Sequence, residues 1–99
     1  MARLIYSRAA MADMERLTDF LIQSDPVAAE DTVRLIEEAV GVLRNLPLIG
    51  RSAEADLREL IASRGQSGYV VLYRFDPAQD LVFLLAVRHQ REAGYSGDA

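Results

Sequence analysis

Residues Tyr69–His89 read YVVLYRFDPAQDLVFLLAVRH, and no other stretch of the chain limits the possible folds so sharply. Two runs dense in valine, leucine and aromatic side chains flank a short polar segment. β-branched and aromatic residues favour pleated strands, while Asp76-Pro77-Ala78-Gln79-Asp80 is turn chemistry. The pattern predicts a long antiparallel hairpin with strands over Tyr69–Phe75 and Leu81–Val87. A symmetric turn sets Phe75 opposite Leu81, Tyr73 opposite Phe83 and Val71 opposite Leu85. Since side chains alternate between faces, one face then carries Tyr69, Val71, Tyr73, Phe75, Leu81, Phe83, Leu85 and Val87. The other carries Val70, Leu72, Arg74, Val82, Leu84, Ala86 and Arg88.

Both faces are largely apolar, which raises the question of what covers them. Burying one large apolar side chain is worth roughly 1.5–3 kcal/mol, and monomers seldom leave broad apolar patches in water. The chain has 99 residues, expected to form a single domain over residues 1–99. The material before the hairpin suffices for helices on one face only. A partner chain is the expected cover for the second.

The preceding segments supply those helices. Ala2–Tyr6 alternates like a first strand, and Ser7 offers a capping oxygen to a helix running from Ala9 to about Gln23. Its apolar positions Ala10, Met14, Leu17 and Leu21 recur at helical spacing. Met14 and Phe20 read as core filling, and Asp13, Arg16 and Asp19 as lying nearer the outer side. Asp25-Pro26 starts a second helix reaching Leu46, with Pro26 at the first helical position, where its missing N–H costs nothing. Its stripe is Ala29, Val33, Ile36, Val40 and Leu43, with Glu30, Asp31, Glu37 and Glu38 as a solvated face. Pro47–Arg51 reads as a loop whose Gly50 is free to take positive φ, and residues 52–56 as polar linker. Leu57–Ala62 alternates weakly, as a strand or alternatively a helical turn. The residues after His89 lose their pattern and are expected to fray. The order is β-α-α-β-β-β, an α+β fold with a helical hairpin packed on one face of a small, mainly antiparallel sheet.

Charge and composition narrow the chemistry. All eleven basic residues are arginine, from nucleotide bias or from a need for planar donors that pair with carboxylates and phosphates. Residues 1–56 balance to −4 and residues 57–91 to +2, so the sheet half is mildly positive inside an acidic protein. That suits an acidic peptide better than a long nucleic acid tract. Without cysteine there is neither a disulfide nor a thiolate metal site. One histidine, His89, cannot hold zinc, and no serine or cysteine motif supplies a nucleophile for it. Gly65 and Gly68 precede no Walker-type lysine. No catalytic residue, metal site or cofactor is therefore expected. No apolar run is long enough for a signal peptide or a membrane span, and the chain is expected to be soluble and cytoplasmic.

Fragments along nearly the whole chain resemble the RelE/ParE superfamily of bacterial type II toxin–antitoxin systems. They are Tyr6-Ser7, Ala10 with Asp13-Met14, Ala28-Ala29, Leu46–Arg51, Leu57–Leu60, Gly68–Arg74 and Val87-Arg88-His89. The resemblance implies one of two activities. RelE-like members cut mRNA on the ribosome with a cluster of basic residues on the sheet. Here the arginine that follows the tyrosine in such nucleases is replaced by Val70, a later one falls on Gln90, and lysine is absent. Losing those cations would leave developing charge unneutralised, at a cost of several kcal/mol of transition-state stabilisation. Arg58, Arg74, Arg88 and Tyr95 are the available substitutes.

ParE-like members poison DNA gyrase and are not enzymes themselves. Tyr73-Arg74 and Val87-Arg88-His89 resemble that branch more. The resemblance further implies a cognate, ParD-like antitoxin forming a hetero-oligomer with the chain, and DNA binding only through that antitoxin. Arg74 and Arg88 would grip its carboxylates over a floor of Val70, Leu72 and Leu84, while Arg58, Arg88, His89 and Arg91 are the candidates for touching the target. A non-toxic module that only holds its partner is the third possibility.

Overall fold

A computed structural model describes residues 1–65, 67–92, 94 and 95. Its elements run β1 (Arg3–Tyr6), α1 (Arg8–Ile22), α2 (Pro26–Gly41), a 3-10 turn (Val42–Arg44), β2 (Arg51–Ser52), β3 (Leu57–Arg64), β4 (Ser67–Asp76) and β5 (Leu81–His89). The strands form one sheet in the order β1-β5-β4-β3-β2, with β1 parallel to β5 and the other pairs antiparallel. The two helices lie against one face, as the apolar spacing requires.

Local chemistry fixes the helix starts. The Ser7 hydroxyl oxygen accepts from the Ala10 N–H at 3.0 Å, and Asp25 Oδ1 accepts from the Ala28 N–H at 3.2 Å, each satisfying one of the unpaired donors of a first turn. Ala10 and Leu17 of α1 meet Ile36, Val40 and Leu43 over the sheet residues Val71, Tyr73, Val82, Leu84 and Val87, and these form the buried core. Burying side chains of this size at roughly 1.5–3 kcal/mol each is the main force holding helices to sheet.

The hairpin keeps its strands but not the symmetric register. The loop has four residues, because the ladder closes with Asp76 opposite Leu81. Asp76 Oδ1 accepts from the N–H groups of Ala78 and Gln79, and Asp80 closes the turn at φ 53, so the aspartate ends the strand within the ladder. Pairing moves by one, and Val82 and Leu84 enter the core in place of Leu81, Phe83 and Leu85. A β-bulge then intervenes, with Tyr73 opposite Leu84 but Leu72 opposite Ala86. The extra residue, Leu85, restores the original parity, so that Val87 faces the helices and Ala86 and Arg88 the far side.

Three further differences follow from tertiary contacts. Arg51–Ser52 forms a short edge strand instead of loop, held to β3 by an Arg51–Glu59 ion pair at 3.1 Å. Gly50 does not need positive φ; a Cβ there would sit 2.7 Å from the Tyr73 hydroxyl, so close approach selects glycine. Tyr73 Oη accepts from the Gly50 N–H at 2.9 Å and donates to the Pro47 carbonyl at 2.8 Å, fastening the loop to the sheet.

Asp13, expected on the outer side of α1, is only 4% exposed. β1 pairs with β5 no further than Leu84, leaving the bulged end of β5, paired with β4 on its other side, without a strand on this edge. α1 supplies the missing acceptors and donors. Ser7 N–H donates to Leu84 O and Ser7 Oγ to Leu85 O, and Asp13 Oδ2 accepts the Val87 N–H at 2.9 Å. An unpaired buried amide there would cost about 1–3 kcal/mol.

Candidate functional site: the open sheet face and the end of the hairpin

The face away from the helices carries Val70, Leu72 and Arg74 of β4 between Leu57, Glu59 and Ile61 of β3 and Phe83, Ala86 and Arg88 of β5. At its centre the Arg74 guanidinium lies 4.8 Å from the Phe83 ring. Such a cation–π contact holds the guanidinium against the sheet. Arg74 has no carboxylate partner among the described residues. Leu72 and Phe83 beside it are half-buried, and Ile5 and Ile61 lie exposed on the flanking strands.

Leu84, expected on this floor, is 0% exposed and belongs to the core. The four-residue turn closed by Asp76 and Asp80 moved it there by shifting the register one residue. Phe83 takes its place on the open face.

One end of this face is roofed by the chain itself. Of the tail expected to fray, residues 90–92, 94 and 95 fold back, while residues 93 and 96–99 lie outside the described residues. Arg88 NH1 donates to the carbonyls of His89, Gln90 and Glu92, and the guanidinium lies 5.1 Å from the Tyr95 ring. Tyr95 Oη donates to Glu59 Oε2. Because Arg88 pairs with Val70 and Glu59 with Leu72, the tyrosine ring spans β4 at that level, and Val70 is 1% exposed. Nothing in a tail without periodicity signals this contact. The only hint is an aromatic residue a few positions beyond a strand that ends in arginine.

The electrostatics of this clasp are self-consistent. The Tyr95 hydrogen bond, followed by those from Arg51, holds the Glu59 carboxyl below its ordinary value despite partial burial. Burial, then the Glu59 carboxylate, pushes the Tyr95 phenol well above its ordinary value. The phenol is thus a firm donor and a poor base.

The arginines proposed as one set are divided. Arg58 is the cross-strand neighbour of Tyr73, on the helix side, and its NH1 donates to the carbonyls of Leu48 at 3.2 Å and Gly50 at 2.8 Å. It braces the loop and does not converge with Arg74, Arg88 or Tyr95. His89 also points to the helix side, where its ring meets Tyr69 edge-on at 5.2 Å. Arg91 follows it there, exposed. Adjacent residues Arg88 and His89 therefore serve opposite faces of the sheet, as period-two alternation demands. Among the described residues no group of three or more His, Asp or Glu side chains lies close enough to hold a metal ion. Among the described residues no helix is long and apolar enough to cross a membrane.

This combination of a helical hairpin, a sheet with one face partly open and a clamped Leu46–Arg51 loop has relatives. The family described as ParE toxin of type II toxin–antitoxin system, parDE, matches residues 4–94. The toxin RelE2 of Caulobacter vibrioides is 33% identical over 89 residues, 90% of this chain and 96% of that protein. RelE1 of the same bacterium is 38% identical over 71 residues, 72% of this chain and 76% of that one. Among solved structures, the chromosomal ParDE system from P. aeruginosa aligns with a TM-score of 0.73 at 24% identity, covering 90% of this chain and 96% of that one. The intact E. coli RelBE toxin–antitoxin complex aligns at 0.64 and 14% identity, covering 93% and 100%; at these identities the likeness concerns the fold. With a family match over nearly its whole length and relatives above 30% identity, the chain belongs to the ParE family of toxins of type II toxin–antitoxin systems.

Proposed function

We propose that this toxin acts in the cytoplasm by inhibiting DNA gyrase, and that a cognate antitoxin neutralises it by laying a peptide segment over the open sheet face. The observation that carries the choice of target is the scattering of the cations. Arg58 is turned to the helix side and bonded to two carbonyls, Arg88 is engaged by the carbonyls of His89, Gln90 and Glu92, and Arg74, with no carboxylate partner among the described residues, stands apart from both. RNA cleavage requires charges gathered around one phosphate and a group able to take a proton from the 2′-hydroxyl. A phenol whose ionisation is pushed up by burial and by Glu59 is poorly suited to that task.

For the antitoxin, Arg74 supplies the charged grip, with Leu72 and Phe83 as apolar floor. Val70 lies under Tyr95, and Arg88 is reached only at its edge. An extended or helical segment with apolar residues and carboxylates fits this surface.

The second reading, ribosome-dependent mRNA cleavage, is favoured by the names of the Caulobacter relatives and by the meeting of Arg88, Tyr95 and Glu59. One experiment separates the two. Purified toxin is added to a gyrase supercoiling assay, and primer extension maps mRNA ends after expression without antitoxin. Inhibited supercoiling with intact transcripts supports the gyrase reading. Untouched gyrase with new ends at ribosomal A sites replaces it with the nuclease. Expression without growth arrest would leave a binding module.

A further inference from the structure

We propose that Glu92 is a latch: by tying the turn after β5 to α1, it holds the strap that ends in Tyr95 over the Val70 end of the open sheet face. The latch thereby sets, from the helix side, how much of that face an antitoxin reaches. This last step rests on the antitoxin reading above, while the latch itself stands apart from it.

Glu92 is gripped from both sides of the sheet. Its Oε1 accepts from the His89 N–H at 3.1 Å and from Arg16 NH1 at 3.2 Å, and its own N–H donates to the His89 carbonyl at 3.0 Å. Its carbonyl accepts from Arg88 NH1 at 3.2 Å, on the face away from the helices. Arg16 depends on Glu92 in turn. That bond is the one hydrogen bond of its guanidinium among the described residues, and its Nε and NH2 are buried without a hydrogen-bond partner. Behind Arg16, at 3.6 Å, stands Asp13, which is itself fixed by the Val87 N–H. The latch therefore ends on a rigid part of α1. Arg16 and Glu92 also wall an open cavity of about 480 Å3 beside Phe20, which is 75% exposed, so substitutions in the pair meet solvent and leave the core alone.

The strap runs from this latch to the sheet. Gly94 takes φ 152, a value essentially reserved for glycine. Tyr95 beyond it lies over the Arg88 guanidinium, with its hydroxyl on Glu59. Beneath it Val70 is 1% exposed. Closure carries a cost, because Arg88 Nε is buried there without a partner, a donor that water would satisfy once the strap lifts. Ring contacts set against an orphaned donor leave the covered and lifted states close in free energy. A partly exposed ion pair three residues away is then enough to decide between them.

Glu59 reports the position of the strap. Its carboxyl is held below its ordinary value first by the Tyr95 hydrogen bond, then by Arg51 and Arg88, against partial burial. Neither Arg16 nor Glu92 is among these groups, so a substitution at either reaches Glu59 only through the strap. The test follows the Glu59 carboxyl by carbon NMR through a pH titration of the full-length toxin, and the affinity of the cognate antitoxin by calorimetry. Tyr95→Phe marks the released position. Glu92→Ala leaves the Arg16–Asp13 pair in place and Arg16→Leu removes it, so the two variants share only the loss of the latch.

Both are expected to carry the Glu59 midpoint at least half of the way to the released position, while Glu92→Gln, which keeps an acceptor for Arg16 and His89, moves it less. Both are also expected to tighten antitoxin binding about threefold, because less of the toxin is held in the covered state. A Glu59 midpoint left in place by Glu92→Ala and Arg16→Leu overturns the latch, and one left in place by Tyr95→Phe overturns the strap it holds. A midpoint that moves without tighter antitoxin binding overturns the control of the face. Arg74→Glu is titrated alongside to separate the two readings: if it also leaves the affinity unchanged, the antitoxin binds elsewhere and the open-face reading falls, with the latch judged by Glu59.

Discussion

Replacing Asp13 separates two roles that one carboxylate plays. Its Oδ2 accepts the Val87 N–H at 2.9 Å at the bulged end of β5, and its Oδ1 lies 3.6 Å from Arg16. Asp13→Ala removes the acceptor and leaves a buried amide unpaired, a cost of about 1–3 kcal/mol. The lost ion pair adds under about 1 kcal/mol, because the Arg16 side chain is 38% exposed. Alanine returns about 0.5 kcal/mol in helix propensity. The net loss is about 0.5–3.5 kcal/mol; at its middle, about 2 kcal/mol, a domain of this size, which loses about 4–8 °C of melting temperature per kcal/mol, shows a Tm lower by about 8–16 °C. Asp13→Asn keeps an acceptor of the same reach and loses only the ion pair, about 0.5–1 kcal/mol. Urea unfolding followed by circular dichroism gives the global numbers, and amide hydrogen exchange at Val87 gives the local one, with fast exchange in the alanine variant only. Equal losses in the two variants, or an alanine loss below about 0.5 kcal/mol, would refute the idea that Asp13 stands in for the missing strand.

Two other outcomes follow from the same geometry. Tyr73→Phe removes two of the hydrogen bonds that hold the Pro47–Gly50 loop and leaves those from Arg58; it is expected to lower stability by about 2 kcal/mol and to speed proteolysis within that loop, both measurable on the purified chain. The Tyr95–Glu59 clasp has a defined pH window. Glu59 is lowered from its ordinary 4.5, so its contribution holds above that value and is lost as the pH falls through the folded-state pKa; Tyr95 is raised from 10.0, so its contribution holds below that and is lost as the pH rises. The stability difference between wild type and Tyr95→Phe is therefore expected to be flat between these values and to shrink beyond both ends, as pH-dependent unfolding would report.

Period-two and period-3.6 patterns carry the hairpin, both helices and the buried positions Ala29, Ile36, Val40 and Leu43, because these depend on local alternation and on one face seeking cover. The identity of the far-side residues Val70, Leu72, Arg74, Ala86 and Arg88 was also legible. For β5 this held only because the bulge at Leu85 cancels the one-residue shift at the turn. Leu84 lies on the stretch between turn and bulge, where nothing cancels the shift, and that is why it sits in the core. Bulges answer to hydrogen bonds arriving from elsewhere, here from Ser7 and Asp13, which a linear pattern does not contain. Phe20 and Asp13 exchanged their expected places for the same kind of reason. Asp13 is drawn inward by an unpaired amide on another element, and Phe20 stands beside a cavity created by the turn after β5. Tyr95 depends on a long-range contact with Glu59 across the sheet, invisible to any window of neighbouring residues.

We propose that the sheet's far face is a surface kept for a carboxylate-bearing antitoxin segment, with Arg74 as the cation at its centre that has no carboxylate partner among the described residues. The direct measurement is calorimetric titration of the cognate antitoxin into wild-type toxin and into Arg74→Glu. Reversing the charge should weaken binding by about 2 kcal/mol, or about 30-fold, while the free toxin loses no more than about 0.5–1 kcal/mol, the worth of the Arg74–Phe83 contact. Affinity within twofold of wild type would show that the antitoxin binds elsewhere and that this face is not held open for it.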